Sequence, residues 1–230
     1  MLRPMAARLP SLPPIPSMPS LDPTLARHER AALCAAALAA GPEAPTLCGD
    51  WDVKDLVCHL LVRENSPIGA PGIAISALSG LTDREMRRLR RQPFPKLVEK
   101  VRKRRLSPSA IGPVDAAFNT VEYFVHHEDI RRAQPRWRRR PLSAKSRDAL
   151  WKAVQAPAQG IVREARVPVV IRRTDTGETA TLRAGRDPVE IAGPVSEVVL
   201  FLYGRDQVRD LELSGPEKKV ARLRGADLGI

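Results

Sequence analysis

The chain has 230 residues, enough for one large domain or two small ones with a sizeable core. Its 38 Lys and Arg against 26 Asp and Glu give a net charge of +12, which draws anionic ligands, while the accompanying richness in Ala and Pro marks a compositional bias rather than a nucleic-acid signature. No apolar run reaches the roughly 18–20 residues of a membrane span, so a membrane partner is not expected.

Residues 1–22 read as a disordered, Pro-rich leader. Pro10, Pro13, Pro14, Pro16 and Pro19 interrupt any apolar signal region, and translation from Met1 or Met18 is equally compatible with the sequence. A first helix is expected over 24–40, with Leu25, Leu33 and Leu38 on its apolar side and Gly41-Pro42 as its stop. A loop carrying Trp51 follows and is expected to pack back onto the helices. Asp52 is the expected N-cap of a second helix, Val53 to Asn65. There Leu56, His59, Leu60 and Arg63 share one stripe. A histidine on such a stripe is either a hydrogen-bonded core residue or a ligand. Cys34, Cys48 and Cys58 are odd in number and share no short metal-binding spacing. They predict no disulfide framework and a reducing, cytoplasmic setting.

Residues 66–80 are rich in Gly, Pro, Ala and Ser and form a connection. A dense Arg/Lys series fills 84–105, split into two helical pieces by Pro93 and Pro95. Leu97, Val98 and Val101 give the second piece a buried side. The tract reads as a solvated face or as a patch for phosphate or carboxylate. Only Phe94 interleaves with the charges, so the stacking surfaces of a single-strand binder are missing and nucleic acid is disfavoured.

The most informative stretch is 119–130, on a helix expected from Pro113 to Ala133. Glu122 and His126 are four residues apart, which stacks them on one helical face. A carboxylate and an imidazole held this way can grip one divalent metal ion, with His59 as the best third ligand from another helix. Internal hydrogen bonding is the alternative use for such a pair. Asp129, one turn beyond His126, is placed to orient its imidazole. His127 points about 100° away from His126, as Cys58 does from His59, so neither suits the same ion. Residues 131–140, with six arginines and Trp137 among them, read as a helix end and an exposed loop. A helix over 143–156, capped by Ser143, has Leu150, Trp151 and Val154 facing inward. After Pro157 the pattern changes: strands at 167–173, 179–183 and 188–192, a helix from Val195 to Tyr203, a short strand near Leu211–Gly215 and a weakly specified tail. The expected fold is mainly α: a helical metal-binding bundle over 23–157, then a small α+β unit over 160–230.

Two segments carry a family resemblance. Ala44-Pro-Thr-Leu-Cys-Gly-Asp-Trp51 through His59, and Asn119 through Ile130 with its Glu122, His126-His127 and Asp129, resemble an actinobacterial metal-binding family. That family shares the N-terminal domain of mycothiol-dependent maleylpyruvate isomerase and sits within the DinB-like four-helix-bundle superfamily. The stretch from Ile191 to Arg205 resembles the C-terminal portion of these proteins, so the likeness covers roughly 24–205. It implies a metal triad of His59, Glu122 and His126, typically holding zinc. It further implies mycothiol or another small thiol as cofactor and a thiol-dependent transferase or isomerase reaction. Arg205 is expected to meet an anionic substrate or thiol if the C-terminal unit covers the mouth of the bundle. A non-catalytic metal-binding, structural or sensing module, closed by a fourth ligand such as Cys58 or His127, is the alternative.

Overall fold

Eight helices and one four-stranded sheet account for the regular structure among the described residues, so the fold is mainly α. The computed structural model describes residues 23–65, 79–103 and 113–228. The expectations for the leader at 1–22 and for most of the 66–80 connection lie outside the described residues.

The helices in chain order are α1 (Pro23–Ala40), α2 (Val53–Asn65), α3 (Ser79–Arg90), α4 (Phe94–Lys103), α5 (Pro113–Arg132) and α6 (Ala144–Ile161). Asp52 caps α2, its Oδ1 accepting from the Asp55 amide at 2.8 Å. Arg90, at the end of α3, grips Asp52 at 2.6 Å and also Asp55, which fastens α3 to the start of α2. Pro93 separates α3 from α4 as expected, while Pro95 sits in the first turn of α4, where a missing amide hydrogen costs nothing. Within the basic tract Arg88 pairs with Glu85, and Arg102 and Lys103 pair with Glu99, so part of its charge is compensated locally.

Helix α5 lies between two apolar cores. Its Tyr123 and Ile130 join Leu33, Leu56, Leu60 and Leu97 in a core among α1 to α4. Its Val121, Phe124 and Val125 join Trp151, Ile171 and Ile191 in a second core. That second core also takes in α6, the sheet and α7 (Val195–Leu202). A helix buried on both flanks has little open surface for its polar residues. Each of them must find a partner inside the protein.

Ser143 caps α6 by accepting from the Ser146 amide at 3.1 Å. The helix runs past the expected end at residue 156 and through Pro157. A proline in a helix interior costs about 3 kcal/mol. Here Pro157, Ala158 and Ile161 are all buried, and that packing outweighs the lost hydrogen bond.

The sheet comprises β1 (Val169–Arg173), β2 (Thr179–Arg183), β3 (Val189–Gly193) and β4 (Glu212–Ser214), in the order β2-β1-β3-β4. The hairpin β1-β2 is antiparallel, as the turn at 174–178 predicts, whereas β1 and β3 run parallel with Ile171 opposite Ile191. The tail is better specified than its sequence suggests. It forms α8 (Glu217–Arg224), with Leu223 and Leu228 buried. Among the described residues no helix is long and apolar enough to cross a membrane.

The segment 131–140 is a helix end and a loop as expected, with Arg136, Arg138 and Arg139 exposed, but Arg132 and Arg140 turn inward. Arg132 is only 3% exposed. It binds Glu128 at 2.6 Å and Glu197 of α7 at 2.7 and 2.8 Å. Arg140 reaches Glu29 of α1 at 2.9 Å and also Glu128. The reason is that the end of α5 is covered by α1 and α7, where three buried carboxylates, Glu29, Glu128 and Glu197, demand cations. Trp137 is stacked between Arg132 and Arg209, their guanidinium carbons 4.5 and 4.3 Å from its ring centre.

Candidate metal centre

Helix α2 presents His59 and, one turn on, Arg63. Helix α5 presents Glu122 and His126, again one turn apart. The two pairs face each other. Glu122 Oε1 is 3.6 Å from His59 Nε2 and 3.7 Å from His126 Nε2. One ligand atom from each of the three residues lies within 4.8 Å of the other two. Both carboxylate–imidazole distances exceed a hydrogen bond. They fit a different arrangement. Two atoms each about 2.1 Å from an ion, at the tetrahedral angle, are about 3.4 Å apart. The donor set of two imidazoles and one carboxylate, at this spacing, suits a divalent ion such as zinc. All three side chains are 12–16% exposed, so the cluster is sheltered but reachable.

A second tier holds the first in place. Arg63 pairs with the other carboxylate oxygen of Glu122, and its Nη2 also donates to Asn119 Oδ1 at 2.8 Å. Asp129 Oδ2 is 2.9 Å from His126 Nδ1, which fixes the ring and leaves Nε2 facing Glu122. Arg205 grips both Asp129 oxygens, at 2.8 and 2.6 Å, and donates to the backbone carbonyl of Tyr203. Cys48 Sγ is 3.1 Å from Asp129 Oδ2, 3.8 Å from His126 Nδ1 and 3.5 Å from Arg205 Nη2. The loop before α2 sets that thiol. Thr46 Oγ1 accepts from the Cys48 amide at 3.1 Å and donates to the Trp51 carbonyl at 2.8 Å. The Leu47 amide donates to the Asp129 carbonyl at 3.2 Å, which fastens the loop to α5. Trp51, 36% exposed, packs on the His59 ring with centroids 5.1 Å apart.

The electrostatics follow from these contacts. Burial lowers the His59 pKa, with Glu122 opposing it only in part, so this imidazole is neutral at pH 7 and has a lone pair to give. Burial would lower His126 too, but Asp129 and Cys48 outweigh it and push the ion-free imidazole up to about 10. An ion held by His126 would have to take the place of the Nε2 proton, leaving the Nδ1 proton in its hydrogen bond to Asp129. Burial would raise the Asp129 carboxyl, yet His126 and Arg205 hold it well below the usual carboxylate range. Glu122 is likewise held low, against burial, by His59, Arg63 and His126.

The structure thus brings together His59, Glu122, His126, Asp129 and Arg205. It leaves the two candidate closing ligands elsewhere. Cys58 is fully buried in the helical core, and His127 binds Glu29 Oε2 at 2.9 Å on the opposite side of α5. Sequence reasoning missed Cys48, Tyr203 and the role of Arg63. Arg63 sits one turn after His59 on the same stripe, and that spacing was the signal available for it. Cys48 reaches the site through a loop, which no periodicity reveals.

The same arrangement of helices and sheet has been seen before. The fold resembles that of the mycothiol-dependent maleylpyruvate isomerase. Its crystal structure superposes with a TM-score of 0.59 at 13% identity, covering 84% of this chain and 91% of that one. The crystal structure of a histidine-to-alanine mutant of that isomerase matches to the same extent. At this identity the likeness is one of fold. No protein-family model and no curated protein matches the sequence.

Proposed function

We propose that the chain is a divalent-metal protein, with His59, Glu122 and His126 as ligands on a DinB-like helical bundle, and that it is a thiol-dependent transferase or isomerase. One observation carries the reading: three ligand atoms from two helices converge within 4.8 Å of one another, with a carboxylate behind one imidazole. Zinc suits the donor set, and three protein ligands leave it an open position. An ion held there would act as a Lewis acid, favouring the thiolate form of a small thiol such as mycothiol at the open position. The chain's own residues supply the rest. Asp129 keeps the Nδ1 proton of His126 in place. Arg63 turns Glu122 so that its free oxygen faces the two imidazoles. Arg205, 13% exposed at the rim, gives an anionic substrate or thiol a cation to approach.

The fold similarity to a mycothiol-dependent isomerase supports the thiol. The positions of Cys58 and His127, away from the cluster, favour an open site over a closed structural one. The test is elemental analysis of the purified protein beside His59→Ala and Glu122→Ala, followed by thiol titration of the cobalt-substituted protein. About one ion per chain is expected in the wild type and little in either variant. A shift in the cobalt spectrum on adding thiol supports the open position, and no shift counts against it.

A further inference from the structure

A buried hydroxyl beside the metal centre has no protein partner among the described residues. Tyr203 follows the last turn of α7 and is 6% exposed. Its hydroxyl oxygen is shielded from solvent and makes no hydrogen bond to the protein. Leaving such a group unsatisfied costs about 1–3 kcal/mol. The residue is nevertheless held firmly. Its amide donates to the carbonyls of Val199 and Leu200 at 3.1 and 3.2 Å. Its own carbonyl accepts from Arg205, the guanidinium that also grips Asp129. Gly204 makes the turn between them with φ of 77°, and a side chain there would collide with the Leu228 carbonyl. The fold therefore places Tyr203 and Arg205 together against the site.

Charged groups of the site lie near enough to the hydroxyl to act on it. After burial itself, the Glu122 carboxylate is the charge that bears most on the phenol, followed by the guanidinium groups of Arg63 and Arg205. Burial and Glu122 both push the phenol's pKa up, so it keeps its proton and acts as a donor. Arg63, whose Nη2 holds Glu122, has a second orphaned donor, its Nε. Two buried donors without acceptors thus belong to residues around one metal-ligating carboxylate.

We propose that the Tyr203 hydroxyl donates a hydrogen bond to an anionic oxygen of the ligand seated at the His59–Glu122–His126 site, and so selects ligands that place a carboxylate or enolate oxygen beside the ion. This rests on the metal reading above and deepens it. A thiol alone leaves the phenol unsatisfied, whereas an oxygen ligand completes it.

Cobalt-loaded wild type and Tyr203→Phe, each titrated with acetate and with ethanethiol, separate the two readings. Tyr203→Phe is expected to load cobalt fully and to bind ethanethiol as the wild type does. Its acetate affinity is expected to fall about ten-fold, the scale of one hydrogen bond to a charged oxygen. Because the hydroxyl has no partner among the described residues, the ligand-free variant is expected to melt at the wild-type temperature or above it. Equal acetate affinity in the two cobalt-loaded proteins overturns the assignment of Tyr203 alone. A clear drop in the melting temperature of ligand-free Tyr203→Phe overturns it as well, since the hydroxyl then has a structural partner. Failure of the wild type to take up cobalt overturns the metal reading, and this inference with it.

Discussion

His126 and His127 are neighbours in sequence and belong to two different chemistries. On the His127 side of α5, a set of buried charged groups is matched within the protein. His127 binds Glu29, Arg140 binds Glu29 and Glu128, and Arg132 joins Glu128 to Glu197. Glu197 goes on to accept from the Arg209 amide at 3.0 Å and from Ser196 Oγ at 2.9 Å. On the His126 side the matching stops short. Both Nε2 atoms face Glu122 at distances too long for hydrogen bonds, and the Tyr203 hydroxyl and Arg63 Nε have no acceptor among the described residues. Both faces are buried and charged. Charge completed within the protein builds structure, whereas the charged cluster left incomplete around Glu122 is available to a ligand.

The strongest way to break this contrast is to remove a charge from the completed side. Glu197 is fully buried, and its loss leaves the buried Arg132 with one carboxylate fewer. Glu197→Ala is expected to cost about 3–5 kcal/mol, the usual penalty for stripping one partner from a buried ion pair. It is also expected to loosen residues 205–209, since Arg132 donates to the Gln207 carbonyl and Glu197 holds the Arg209 amide. Urea unfolding measures the first effect. His59→Ala, in the ion-free protein, is expected to cost less than about 1 kcal/mol, because His59 makes no short hydrogen bond there. Equal destabilisation by the two substitutions would show that the metal-side cluster is an ordinary structural network.

A smaller effect is expected from His127→Ala. Glu29 keeps two bonds from Arg140 when the imidazole is gone, at 2.9 and 3.1 Å. The cost is expected at about 1–2 kcal/mol, the scale of one buried hydrogen bond. Metal stoichiometry is expected to stay at the wild-type level. His126→Ala is expected to do the reverse, abolishing metal uptake. A His127→Ala protein that lost its metal would merge the two faces into one system.

The two faces were not equally legible in the sequence. The site face advertised itself through spacing: Glu122, His126 and Asp129 recur at helical intervals on one side, and His59 sits on its own stripe. Periodicity within a helix is local, so a single sequence carries it. The completed face joins α1, α5, the 131–140 segment and α7, elements separated by as many as 111 residues in the Glu29–Arg140 contact. Its arginines, read alone, look like a solvated helix end, because the carboxylates that bury them are remote in sequence. The same limit hid Cys48 and Tyr203, which reach the site from a loop and from the end of α7. Helices and the β1-β2 hairpin followed from local pattern. The parallel pairing of β1 with β3 is non-local, and the passage of α6 through Pro157 depends on tertiary packing.

Acid sharpens the contrast with the smallest perturbation near neutrality. Burial would raise the Glu29 carboxyl, but His127 and Arg140 outweigh it and leave the pKa below the ordinary 4.5. Glu128 is lowered in the same sense, with Arg140 and Arg132 overcoming burial. A carboxylate whose folded pKa is depressed contributes stability that is present above its unfolded pKa. That contribution is lost as pH falls through the folded one. The completed face is therefore expected to hold unchanged between pH 7 and 5 and to weaken only below about 4.5. The site face has the opposite sign. Its ion-free imidazole at His126 is raised to about 10, so across neutral and mildly acidic pH a metal ion must displace a proton from it. Each unit of acidification is expected to weaken metal binding about ten-fold for each proton displaced. Metal content and melting temperature, followed together from pH 7 to 3, are expected to separate: the ion leaves first, and the network fails at lower pH. Simultaneous loss of both would mean that the ion, rather than the Glu29–Arg140 and Arg132–Glu197 pairs, holds α5 in its place.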